Sequence, residues 1–173
     1  EGLITSSDEL QRWLQLVLRF GSGWNDSLLL SLTLKGQDMA AHARALAPSS
    51  ERLAVTMDLG RAFSRTVGQI SGTEIPVAPL PVVVGFAARS LSLDRSEILG
   101  LYLQTFVSNL ITCAVRNVPL GQAEGQKVLF ELTGLISEVA TLAADASEGD
   151  FAQATFGADM MAMLHETQEV RLF

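Results

Sequence analysis

Apolar side chains recur at helical spacing along almost the whole chain. Ser7-Asp8-Glu9 reads as a helix start; Leu10, Trp13, Leu14, Val17 and Leu18 then share one face, and Gly21-Ser22-Gly23 stops the run. Asp26 is placed to cap a second helix through "SLLLSLTL", which Gly36 weakens by about 1 kcal/mol relative to Ala. The pattern resumes in "QDMAAHARALA" and ends before Pro48. Ser49 or Ser50 then caps "ERLAVTMDLGRAFSRTV", where Leu53, Met57, Gly60 and Phe63 form one stripe.

Three prolines make "SGTEIPVAPLP" irregular or extended, and Pro81 suits the first turn of a helix through "PVVVGFAARSL". The three valines also suit a strand, but no partner strand of similar quality exists. Asp94 and Glu97 have capping-box spacing before a long helix, and a further helix covers "EGQKVLFELTGLISEVATLAADA". "SEGD" closes that helix, and a last helical pattern, "DMMAMLHETQEVRLF", runs to Phe173. The expected fold is all-α, a single-domain helical bundle over residues 1–173.

Two features interrupt this regularity. Between Glu97 and Arg116 the chain carries no charge and is about long enough to cross a bilayer. Gln104, Thr105, Ser108, Asn109 and Thr112, however, recur at three- and four-residue steps, which favours a buried helix of a soluble protein. This uncharged polar stripe fits either an internal seam of the bundle or a subunit interface. The second interruption is "AVRNVPLGQAEGQKVL", Ala114 to Leu129, where Pro119 and two Gly-Gln pairs separate two apolar helices. A phosphate-binding loop would need its Lys directly after the last Gly with Ser or Thr beside it, and Lys127 is misplaced for that.

Composition narrows the functional classes. Hydrophobic residues make up 48% and charged residues 18% of 173, so some apolar surface is expected to be hidden against a partner. The net charge of −7, with no run of Lys or Arg, argues against nucleic acid and against an anionic membrane surface as partners. The single cysteine, Cys113, excludes an intrachain disulfide and fits a reducing cytoplasm; its place on the uncharged helix predicts a buried small hydrophobe. The opening residues show no signal peptide, and a start without Met is expected of a fragment.

Catalytic chemistry finds little support. No GxSxG or locally supported Cys–His pair occurs, and the carboxylates are scattered singly. "HETQE" departs from the HExxH zinc motif because Glu169 stands where the second histidine belongs. His165 and Glu169, one turn apart, offer two ligands where a stable site needs three or four. An enzyme would have to use a hidden site around His165, Glu166 and Glu169. No cofactor and no intrinsic metal site is expected.

At Arg116, Pro119, Leu120, Gly121, Gln122, Gly125 and Gln126 the chain resembles the UreF family of urease accessory proteins. That family carries an Arg-rich helix end running into Pro-Leu-Gly-Gln, a short gap, then Gly-Gln and an apolar helix. His165 to Gln168 and Arg171 to Phe173 are similar to the family's C-terminal segment, and the stretch from Pro79 through Val115 to its middle. The family's usual Gly-Gly-Phe-Ser-Tyr start does not precede Glu1, and its usual Arg-Ser end does not follow Phe173. Both ends of the full protein are therefore expected to be missing.

The resemblance implies a homodimeric, all-α, non-enzymatic assembly chaperone. It would scaffold UreD/UreH and the GTPase UreG while nickel is inserted into apo-urease. Two alternatives travel with it: a regulator of the UreG GTPase, with Arg116 or Arg171 as charge donor, and a metallochaperone that itself holds nickel. The partner-binding residues it points to are Arg116, Pro119, Gly121, Gln122 and Gln126 at the break, and His165, Glu166, Gln168, Arg171 and Phe173 at the end. In this reading Gly121 lets the backbone turn, and Gln122 and Gln126 project from one face. The structural alternative is a turn whose glutamines only tie two helices together.

Overall fold

A computed structural model describes residues 4–151. They form an all-α domain of seven α-helices and one 3-10 turn, with no strand among the described residues. The helices are α1 (Ser7–Phe20), α2 (Ser22–Leu34), α3 (Ala40–Ala45), α4 (Ser50–Ser71), α5 (Leu80–Ala88), α6 (Arg95–Asn117) and α7 (Gln122–Asp145). Their contacts divide into two compact units, 4–28 with 93–151 and 29–92.

In the first unit, α1 and α7 pack on α6 and on each other. Ser6 caps α1 by accepting the Glu9 N–H at 3.3 Å, while the Glu9 carboxylate takes the Thr5 N–H and hydroxyl, each at 2.8 Å. Leu10, Leu14, Val17 and Leu18 are the buried stripe of α1, as their spacing predicts. Arg19 forms a two-pronged ion pair with Glu138 of α7, 119 positions away in sequence. Ile98, Leu99, Leu103, Val107 and Ile111 line the buried face of α6; Val128, Leu132, Ile136 and Val139 line that of α7.

The boundary between α1 and α2 differs from the sequence expectation. Only Gly21 is non-helical, and Ser22 and Gly23 already belong to α2. Asp26 lies inside α2 rather than capping it, and its carboxylate accepts the Tyr102 hydroxyl at 2.9 Å. Every residue from 27 to 33 is buried. Two of the buried hydroxyls are satisfied within the helix: Ser27 donates to the Gly23 carbonyl and Thr33 to the Leu29 carbonyl, both at 2.7 Å. Gly36 lies beyond the end of α2, with φ of 99°, in a turn.

In the second unit, Ser49 caps α4 by accepting the Arg52 N–H at 3.1 Å, as predicted. Helix α3 covers only six residues of the expected run. The proline-rich stretch passes along α4: Ser64 donates to the Pro76 carbonyl at 2.9 Å, and a Cβ at Gly60 would overlap the Ala78 carbonyl. Thr56 accepts the Leu80 N–H at 3.1 Å where α5 begins. The valine run is helical, with Pro81 in its first turn as predicted.

Candidate functional site: the break between α6 and α7

Helix α6 ends at Asn117, with Arg116 exposed in its last turn. Val118 takes an extended conformation, and Pro119 follows, exposed, with no N–H to continue the helical ladder. Gly121 is the residue before α7. Its φ of −75° and ψ of 155° are open to any residue, and a Cβ there would meet only the Glu124 carboxylate, at 3.5 Å. The expectation that Gly121 is needed for its backbone freedom is therefore corrected. What holds this helix start is the Gly121 N–H, which donates to Glu124 at 2.8 Å.

The sterically constrained glycine is Gly125, one turn into α7 and buried. An added Cβ would lie 2.9 Å from the Cγ2 atoms of both Ile111 and Val115 on α6, inside van der Waals contact. Removing one side chain at this crossing lets α7 approach α6 just after the break. The second Gly-Gln pair thus has a split role: the glycine faces the neighbouring helix, and Gln126 faces out.

Gln122 and Gln126 are both exposed, four positions apart on one face of α7. Among the described residues neither side-chain amide forms a hydrogen bond, so the glutamines do not tie the two helices together. Phe130 continues the same row at the next four-residue step and is 80% exposed. Sequence reasoning missed this aromatic because it falls within an apolar run; its register with the two glutamines was the available signal. Lys127, on a neighbouring face, pairs with Glu131 at 3.7 Å.

The polar stripe of α6 is also on the outside. Gln104, Thr105, Asn109, Thr112 and Cys113 are exposed, so among the described residues the stripe does not form an internal seam, and Cys113 is not buried. Thr105 and Thr112 bond back to the carbonyls of Leu101 and Ser108, at 2.9 and 2.8 Å. Helix α6 is long and apolar enough to cross a membrane, the only such helix among the described residues, yet its apolar stripe is packed against α1 and α7. The expectation of a buried helix holds for one face only.

His165, Glu166, Gln168, Arg171 and Phe173 lie outside the described residues, as do Glu169 and the last predicted helix. Among the described residues no three His, Cys, Asp or Glu side chains gather as metal ligands would.

The UreF family model matches residues 4–133. The chain belongs to the UreF family of urease accessory proteins. Among curated relatives, the urease accessory protein UreF of Cereibacter sphaeroides is 46% identical, over 100% of this chain and 84% of its own length. The UreF of Paracoccus denitrificans is 44% identical over 100% and 82%, and that of Jannaschia sp. 40% over 99% and 80%. The match to the family model contains the whole break from Arg116 to Gln126.

Proposed function

We propose that this chain is a non-enzymatic assembly chaperone that holds UreD/UreH and the GTPase UreG together while nickel enters apo-urease. It does so in the cytoplasm and as a homodimer. The observation that carries this reading is the row Gln122, Gln126 and Phe130. Two unengaged amides and an exposed ring stand on one helix face, without an ionisable cluster. Such a row offers directional hydrogen bonds around an aromatic anchor, the chemistry of a docking surface rather than of a reaction. Membership of a urease accessory family supplies the context. The C-terminal residues His165 to Phe173 are proposed as a second contact, on family resemblance alone.

The test is co-purification of the chain with UreD/UreH and UreG, with its mass followed by light scattering. The wild type is expected to enter a larger complex. Gln122→Ala with Gln126→Ala, and separately Phe130→Ala, should keep full helicity and bind about 5–10-fold more weakly, a loss of about 1–1.4 kcal/mol. Variants that bind as well as the wild type would refute the assignment of this face.

A further inference from the structure

We propose that the second unit carries a docking cleft for an extended acidic segment of a partner protein, separate from the break between α6 and α7. The cleft, of about 630 Å³, runs between the last three turns of α4 and the proline-rich stretch that follows it. Arg61 and Arg65 stand on its rim, and Ile75 and Val77 contribute apolar wall. Arg61 is paired with Asp58 one turn earlier; Arg65 has no ion pair or hydrogen bond among the described residues. Glu74 is the one carboxylate among the lining side chains.

Three observations point to the occupant. The first is charge: residues 29–92 hold six Lys and Arg against four Asp and Glu, whereas the whole chain has a net charge of −7. The cleft thus lies in the cationic part of an anionic molecule, and its two guanidiniums suit carboxylates.

The second is the main chain. Ile75 and Ala78 precede prolines and are held extended. The Pro76 and Ala78 carbonyls are turned to α4, so across its trans peptide the Val77 N–H points to the outer edge of the stretch; it and the N–H groups of Glu74 and Ile75 have no partner among the described residues. An unpaired outer edge on the stretch that borders a cleft is a template for a second extended chain. The third is the wall, where Val77 is half exposed beside Ile75. A segment alternating acidic and apolar side chains would place carboxylates on the arginines and apolar groups on this wall.

The experiment is a fluorescence-anisotropy titration of the full chain with a labelled eight-residue peptide of alternating Glu and Val, against a Lys–Val peptide as control. The Glu–Val peptide should bind saturably and lose affinity as salt rises, and the control should not bind. Arg61→Glu with Arg65→Glu should weaken binding about tenfold, and Glu74→Gln should strengthen it about two- to threefold. If the double reversal does not fold, Arg65→Gln decides the matter with a smaller loss of about two- to fivefold. No saturable binding, equal binding of both peptides, unchanged affinity in a folded arginine variant, or equally effective competition by citrate would each overturn the proposal. None of these substitutions touches Gln122, Gln126 or Phe130, so this cleft and the face on α7 stand or fall separately.

Discussion

Placing a methyl group at Gly125 tests how α6 and α7 meet. The Cβ would sit 2.9 Å from two Cγ2 atoms, of Ile111 and Val115, where carbon atoms rest at about 3.5–4.0 Å. Both neighbours are β-branched and stiff at χ1, so relief requires either unfavourable rotamers, at about 0.5–1.5 kcal/mol each, or retreat of α7. Overpacking of this kind costs about 1–3 kcal/mol. Against it stands the higher helix propensity of Ala, about 1 kcal/mol.

Gly134 supplies the control, being on the same helix and exposed, with no atom within 4 Å of an added Cβ. Gly134→Ala should therefore gain about 0.5–1 kcal/mol. Comparing the two variants cancels the propensity gain and leaves the overpacking, about 2 kcal/mol. For a chain of this size that separates their melting temperatures by about 4–8 °C, Gly134→Ala the higher. Thermal melts followed by far-UV circular dichroism measure this directly. A Gly125→Ala protein melting at or above Gly134→Ala would refute the close crossing, and with it the explanation of the second Gly-Gln pair.

Two further predictions concern the first unit. Tyr102→Phe removes a hydrogen bond to the Asp26 carboxylate and should cost about 1–2 kcal/mol, read as a lower urea midpoint at unchanged slope. Asp150 accepts the Ser147 N–H and hydroxyl, both at 2.8 Å, and these bonds hold its carboxyl below the usual value of 3.8. Its contribution is thus fully present above pH 3.8 and is lost as pH falls through the lower folded value. The Trp24 indole donates to the Asp150 carbonyl at 2.7 Å, so in a Trp13→Phe background the emission of Trp24 should shift below pH 3.8. Asp150→Asn should flatten that shift; an identical acid transition in this variant would assign the change to another group.

What could be read from the sequence was local. Ser49 caps α4 through a bond three residues long, and Asp94 donates its N–H to the Glu97 carboxylate at 2.9 Å; both signals sit within one turn. The buried stripe of α1 follows from spacing alone. The errors concern contacts made across sequence distance. Asp26 had the residue type of a cap but is engaged by Tyr102, 76 positions away. At the break, sequence chemistry favoured Gly121, the glycine after the proline, whereas the spatial constraint falls on Gly125, whose requirement comes from Ile111 and Val115. The lack of charge on its helix places Cys113 inside, and it leaves the α6 stripe open between an internal seam and a subunit interface; which side of such a helix meets α7 is not written in its polarity.

The split of the first unit between the two ends of the described chain bears on how the protein is made. Helix α1 leaves the ribosome with Leu10, Leu14, Val17 and Leu18 uncovered, while Glu138, the carboxylate that clasps Arg19, is still 119 codons away. At synthesis rates of about 5–20 residues per second, that interval lasts on the order of 6–24 s. Residues 29–92 are translated within it and can pack before their flanks. A helper of another enzyme's maturation therefore emerges with a sticky amphipathic helix of its own, which waits for α7 to be made.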